Sequence, residues 1–138
     1  MKRLLLDLNV LLDVILDRAG APVASEVWAA LESRRGEGYV PAHGLTTVFY
    51  VVARARGRAF ARLAVDGLMR AFAVAPVNED VLRHALLLDW PDFEDAVCAA
   101  AAAACGCDGI VTRDPCGYRE SPVEVIDPAT ARAWLAEE

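Results

Sequence analysis

The sequence predicts an α/β fold, a three-layer α/β/α sandwich around a mainly parallel sheet. Short apolar runs alternate along the chain with longer stretches in which apolar residues recur at helical spacing, the pattern of strands joined by helices. The first run, residues 4–6, is unbroken, as is typical of a strand covered by helices on both faces. With 138 residues the chain can bury its own core, so we expect a single domain over residues 1–138.

The predicted elements alternate from the N-terminus and are separated by helix-breaking residues such as Gly57 and Gly106. Asp127 followed by Pro128 is a typical helix start. In chain order, we expect a strand at 4–6, helices at 10–16 and 23–34, a strand at 38–41, helices at 45–55 and 59–70, a strand at 72–76, a helix from Asn78 or Asp80 bearing Leu82, Ala85 and Leu86, a helix at 93–105, strands at 109–112 and 123–126, the latter at the sheet edge, and a helix from Asp127.

Composition narrows the possible partners and the compartment. The formal net charge is −6 and Lys2 is the only lysine, so there is no bulk positive field to gather a polyanion. The four cysteines lack the spacing of a zinc site, and we interpret them as reduced thiols of a cytoplasmic protein. Acidic residues interrupt the N-terminal apolar segment, and the alanine run at 99–104 is too short to span a bilayer. We therefore expect no membrane association.

Three carboxylates stand where chain direction can bring them together. Asp7 follows the first strand, Asp114 follows the predicted strand at 109–112, and Asp95 lies in the first turn of the helix at 93–105. Parallel strands place their carboxyl ends at one edge of the sheet, where ligands of open α/β sheets bind. The acids converge only if the two strands are neighbours. Asp95 shares a helix face with the small residues Ala99 and Ala102, so it is expected to point at the sheet.

A cluster of this kind favours a hard divalent cation. Carboxylates a few ångströms apart raise one another's pKa, and a cation relieves their repulsion. Oxygen-only ligation favours Mg²⁺ or Mn²⁺ over zinc. Such a metal orients and deprotonates water and neutralises charge on a phosphodiester. Asp7, Asp95 and Asp114 are therefore the candidate metal-binding and catalytic residues.

Each acid also has a purely structural interpretation. Asp7 can cap the following helix, and position alone does not separate that role from a functional one. Asp92 is better explained as a helix cap, with Glu94 and Asp95 near the positive end of the helix dipole. Asp114 and Pro115 together can form an ordinary turn.

Three segments together resemble the PIN-domain ribonucleases, particularly the bacterial toxins of toxin–antitoxin pairs. They are LDLNVLLD at residues 6–13, DFEDAV at 92–97 and IVTRD at 110–114. The resemblance implies an α/β/α sandwich, cleavage of single-stranded RNA with Mg²⁺ or Mn²⁺, a homodimer, and inhibition by a small antitoxin protein. It assigns the metal to Asp7, Asp95 and Asp114, directly or through water, with Asn9 hydrogen-bonding near the site and Asp92 and Thr112 in supporting positions.

Two positions depart from the family pattern. The family often has Thr or Ser after the first Asp, where this chain has Leu8. A Glu usually sits early in the third long helix, but residues 43–50 contain no acid. Thr46 or Thr47 can hold a metal-bound water in its place, although three carboxylates bind metal more weakly than four.

The arginines are the candidate RNA contacts, because a guanidinium holds a phosphate bidentately. Arg113 adjoins Asp114, and Arg54 and Arg58 belong to the densest basic patch. For that patch, a solvated helix face paired with nearby acids is the stronger interpretation. His43 and His84 are isolated in the sequence and are interpreted as structural.

Three functions fit these residues to different degrees. The first is a metal-dependent endoribonuclease acting as a toxin. The second is a catalytically weak or inactive PIN-like domain that binds protein or RNA, which the absent Glu favours. The third, phosphoryl transfer through an aspartyl phosphate, resembles the site at Asp7 but requires a downstream lysine, and the chain has none beyond Lys2.

Overall fold

The computed structural model describes residues 1–137 and contains a five-stranded sheet with helices on both faces. Its elements are β1 (Arg3–Leu6), α1 (Leu8–Ile15), α2 (Ala21–Glu32), β2 (Glu37–Pro41), α3 (Ala42–Arg56), α4 (Arg58–Ala71), β3 (Ala73–Ala75), α5 (Glu79–Leu88), α6 (Phe93–Ala104), β4 (Gly109–Val111), a 3₁₀ turn (Pro115–Gly117), β5 (Glu124–Ile126) and α7 (Pro128–Ala136). The predicted α/β/α fold is confirmed.

The sheet order is β3-β2-β1-β4-β5, and every neighbouring pair is parallel. β1 is central and pairs with β4, with Leu6 opposite Val111. The backbone N–H of Asp7 continues this ladder by donating to the carbonyl oxygen of Val111 at 3.0 Å. The residues that follow β1 and β4 therefore lie side by side at the carboxyl edge, which was the condition for the acids to converge.

Alternate residues of β1 pack into two separate cores. Leu4 and Leu6 belong to a core formed with α1, α2, α3, α4 and α7, whereas Leu5 belongs to a core formed with α5 and α6. All three leucines are at most 1 % exposed. This burial on both faces is why the run at 4–6 has no polar residue.

Helix α6 packs closely against the sheet because its side chains are small. Residues 96–102 are all buried, and five of the seven are alanine. Without long side chains between them, the helix backbone and the sheet approach closely. The first turn of α6, which carries Asp95, is thereby brought near the end of β1.

Helix α5 contains the predicted Leu82, Ala85 and Leu86, and the structure shows which of its apolar residues are buried. Its buried residues are Val81 and Ala85, while Leu82 is 40 % exposed and Leu86 is 65 % exposed. Asn78 rather than Asp80 begins the helix, because its side chain accepts from the N–H of Val81 at 3.0 Å. Within residues 1–137, no helix has the length and apolar character needed to cross a membrane.

Candidate functional site

Asp7 both caps α1 and faces the carboxyl edge of the sheet. One carboxylate oxygen, Oδ1, accepts from the N–H of Leu8 at 2.7 Å, and the other, Oδ2, accepts from the hydroxyl of Thr112 at 2.9 Å. The residue is 6 % exposed. The capping role is therefore real, and it fixes a buried carboxylate at the end of β1 instead of excluding a functional role.

The hydroxyl of Thr112 joins the residues that follow β1 and β4. It donates to Asp7 and accepts from the side-chain amide of Asn9 at 3.1 Å and from the N–H of Asp114 at 3.2 Å. Asn9 also accepts from the N–H of Arg113 at 3.3 Å. Thr112 is fully buried, so this network holds the Asp7 carboxylate in one orientation. The structure thus brings Asn9 and Thr112 together beside Asp7.

Asp95 lies in the first turn of α6, half-buried and within electrostatic reach of Asp7. Burial is the main cause that raises the pKa of Asp95 to about 7, and the negative charges of Asp7, Asp92 and Glu94 add to it. Asp92 caps α6, since its Oδ1 accepts from the N–H of Asp95 at 3.2 Å. The structural interpretation of Asp92 is therefore correct.

Asp114, which follows β4, lies beside the same acids as Asp95. It is exposed and lines an open cavity of about 670 Å³ together with Asp92, Asp95 and Gly117. A Cβ added at Gly117 would lie 3.2 Å from Oδ2 of Asp95. The loop after β4 therefore closes over the α6 acid with little room to spare.

Asp95→Asn is expected to make metal-free protein more stable at neutral pH. The folded carboxyl keeps its proton up to a pKa of about 7, whereas the unfolded one releases it near 3.8. Folding stability of the wild type therefore falls as pH rises from about 4 to 7 and levels off above 7. Because the group is partly solvated, we expect a gain of about 1–2 kcal/mol at pH 8 for the variant.

The measurement is urea denaturation with EDTA at pH 4.5, 6 and 8. Asp66→Asn, at an exposed acid of α4 paired with Arg70, is the control. An Asp95→Asn variant with the same pH dependence as the wild type would contradict the prediction.

Tyr118 is a member of this site that the sequence did not indicate. Its ring packs edge-on against Trp90, with ring centroids 5.6 Å apart, and only 4 % of the residue is exposed. The hydroxyl is buried near Asp7 and Asp95 and makes no hydrogen bond of good geometry within residues 1–137. Burial, followed by the charges of these neighbours, raises the pKa of Tyr118 far above its ordinary value, so the group is a neutral donor.

The N-terminal parts of α3 and α6 contact each other beside the acids. Of the two predicted threonines, only Thr47 reaches α6, where its hydroxyl donates to Oε2 of Glu94 at 3.3 Å; the hydroxyl of Thr46 donates to the carbonyl of His43 in its own helix. The Nε2 atom of His43 lies 3.3 Å from the carbonyl oxygen of Glu94 and 3.7 Å from Sγ of Cys98. His43 and Glu94 therefore border the site.

The predicted RNA-binding arginines lie in two different places. The Nε atom of Arg113 is 2.9 Å from Oδ2 of Asp13, a carboxylate that is 1 % exposed. Arg54 donates to the hydroxyl of Tyr50 at 3.0 Å, and Arg58 begins α4. Arg54 is seven residues beyond Thr47 on α3, or about 10 Å along the helix. The structure therefore does not bring Arg54 and Arg58 next to the acids, and their contact with RNA stays a prediction.

The acids fit a hard cation in chemistry. Within residues 1–137, no three histidine, cysteine, aspartate or glutamate side chains are already arranged around one metal position. Magnesium, however, is usually bound through one or two carboxylates, with waters completing its shell. Asp7 and Asp95 are two oxygen donors whose mutual repulsion a cation would remove, and the buried Tyr118 hydroxyl beside them makes no hydrogen bond of good geometry with the described residues. The donor set therefore fits Mg²⁺ or Mn²⁺ held by two carboxylates, with the other acids acting through water.

Fold and site together define an α/β/α protein with an acidic edge at the carboxyl ends of its two central strands. The family model described as PIN domain matches residues 3–115, and the chain belongs to the PIN-domain family. Helix α3 carries no acid, so the family's usual Glu is absent. No curated protein matches the sequence.

Solved structures of toxin–antitoxin proteins share the fold. VapBC2 from Rickettsia felis, bound to a promoter DNA fragment, is 12 % identical with a TM-score of 0.73, covering 91 % of this chain and 98 % of that one. DNA-bound VapBC from Salmonella typhimurium is 16 % identical with a TM-score of 0.73, covering 93 % and 99 %. VapC20 from Mycobacterium tuberculosis, a sarcin–ricin loop cleaving toxin, is 18 % identical with a TM-score of 0.64, covering 78 % and 86 %.

Proposed function

We propose that this protein is a metal-dependent endoribonuclease that cleaves single-stranded RNA in the cytoplasm. The proximity of Asp7 and Asp95 at the edge of the sheet, on the same side as Asp114, carries the proposal. Asp7 and Asp95 would bind Mg²⁺ or Mn²⁺ directly, with Asp114 acting through water. When bound, the metal would supply charge neutralisation and an activated water for phosphodiester hydrolysis.

Neighbouring groups hold the Asp7 carboxylate in an orientation suited to metal binding. Thr112 and the N–H of Leu8 fix the Asp7 carboxylate, so its orientation does not have to change when a metal binds. The Tyr118 hydroxyl is placed to donate to an acid or to an ordered water. The open cavity beside Asp95 and Asp114 leaves an extended RNA strand room to enter.

We further propose that the protein is the homodimeric toxin of a toxin–antitoxin pair, inhibited by a small antitoxin. Two of the related structures are described as DNA-bound VapBC proteins, and a third relative is described as a sarcin–ricin loop cleaving toxin. A catalytically inactive module that binds protein or RNA is the second candidate, and the absence of any acid from α3 favours it.

Purified protein, freed of any bound partner, should cleave labelled single-stranded RNA with Mn²⁺ or Mg²⁺ and lose this activity in EDTA. Double-stranded RNA and single-stranded DNA of the same sequence are the comparison substrates. Absence of cleavage, together with absence of Mn²⁺ binding in calorimetry, would overturn the nuclease and favour the binding module.

A further inference from the structure

Where the acidic site faces α3, the nearest acid is Glu94, which belongs to α6 and not to α3. Residues 42–56 contain no carboxylate. The first two turns of α3 nevertheless make two contacts with one acidic residue, since Thr47 donates to the Glu94 carboxylate and His43 lies against the Glu94 carbonyl. These two contacts hold Glu94 at the junction of the two helices.

Glu94 is exposed to solvent and also borders the buried part of the site. Glu94 directly precedes Asp95 in the first turn of α6, and its carbonyl oxygen contacts the same His43 ring that lies 3.7 Å from the buried Sγ of Cys98. Glu94 therefore lies beside the buried part of the site. Only its Oε2 accepts a hydrogen bond from the described residues, which leaves Oε1 available to water.

Tyr118 independently indicates that a polar ligand belongs here. The residue is 4 % exposed, and its hydroxyl lies near Asp7, Asp95 and Cys98 but makes no hydrogen bond of good geometry with the described residues. Buried polar groups in native proteins nearly always have a partner, which can be an ordered water or an ion. The space around the acids is thus suited to a hydrated cation.

We propose that Glu94, positioned by Thr47, is a further metal-site acid that binds the water shell of the cation held by Asp7 and Asp95. This inference rests on the proposed metal-dependent function. In this arrangement α3 contributes no acid of its own. It contributes the Thr47 hydroxyl, which orients the carboxylate of Glu94 from the neighbouring helix. The alternative is that Glu94 only stabilises the N-terminus of α6, a role that does not affect metal affinity.

Calorimetric titration with Mn²⁺ separates these two roles. Residues that orient or support metal ligands typically contribute 10- to 100-fold to affinity, so Glu94→Gln is expected to weaken Mn²⁺ binding about 10-fold. Thr47→Val, which leaves the carboxylate in place and removes only the hydroxyl that orients it, is expected to weaken Mn²⁺ binding about 3-fold, less than the loss of the acid itself. Glu79→Gln, in the first turn of α5 and paired with Arg83, removes the same charge and should bind Mn²⁺ like the wild type.

Each variant is first checked for folding by its melting temperature in EDTA. Glu94→Gln protein that melts like Glu79→Gln but binds Mn²⁺ more weakly supports the assignment. Equal Mn²⁺ affinities of wild type and Glu94→Gln overturn it while leaving the nuclease proposal intact. A wild type that binds no Mn²⁺ overturns both.

Discussion

Asp7→Asn is expected to reduce the rate of RNA cleavage about 1,000-fold while leaving the fold intact. A metal's stabilisation of transition-state charge is worth several kcal/mol, and each 1.4 kcal/mol is about tenfold in rate. Asparagine is as good a helix cap as aspartate, and its carbonyl oxygen can still accept from the N–H of Leu8. The substitution also removes the repulsion between Asp7 and Asp95. The asparagine NH₂ group cannot accept from the buried Thr112 hydroxyl, and the loss of that hydrogen bond is expected to cost about 1–3 kcal/mol of stability. Activity should therefore fall far more than this loss of stability can explain.

The comparison is made by single-turnover cleavage with Mn²⁺ and by urea denaturation of the same samples. Asp66→Asn, the same exchange on the exposed face of α4, serves as the control and should retain full activity. Full activity of Asp7→Asn would show that the carboxylate of Asp7 is only a helix cap. A proportional loss of stability and activity would assign the effect to folding.

Arg113→Ala is expected to destabilise the protein by about 2–3 kcal/mol. The variant leaves the Asp13 carboxylate buried without its cation, and breaking a buried ion pair from one side typically costs 3–5 kcal/mol. The Arg113 side chain is 50 % exposed, so water reduces that cost. The Asp13 carboxylate has no space to move towards Gly20, because it already packs so closely there that a Cβ at position 20 would collide with it.

Urea denaturation of a double-mutant cycle measures the pair. In an Asp13→Asn background, Arg113→Ala should cost less than about 1 kcal/mol, because no buried charge is left behind. Arg132→Ala is the control, since its partner Glu26 is half-exposed and surface pairs contribute 0–1 kcal/mol. If Arg113→Ala lowers the free energy of unfolding no more than Arg132→Ala does, and only RNA binding is weakened, then Arg113 contributes to RNA binding and not to stability.

Local patterns were sufficient to predict most elements of this fold. The unbroken run at 4–6, the cap at Asp127 and the glycine after α6 each correspond to an observed boundary. The face of α5 was harder to predict, because Val81, Leu82, Ala85 and Leu86 are all apolar. Only the position of α6, which contacts that helix, decides that Val81 and Ala85 are buried while Leu82 and Leu86 face solvent.

The site was predictable where it depends on strand ends and not where it depends on contacts between distant elements. Asp7 and Asp114 follow strands, so the parallel sheet places them at one edge once β1 and β4 are neighbours. Tyr118 lies after a 3₁₀ turn in irregular chain, which no periodicity describes. His43 is isolated in the sequence because its neighbour Cys98 is 55 residues away.

The alanines of α6 set how closely this helix approaches the sheet, because each places only one methyl group against its neighbours. Residues 96–102 are all buried, in a core that also includes residues of α5 and of the sheet, so a larger side chain at Ala99 or Ala102 has no space and must displace the helix outward. Asp95 would move away from Asp7 with it. The distance between the two acids is therefore set by buried side chains that contact neither solvent nor substrate, and substitutions in this run should impair metal binding from a distance.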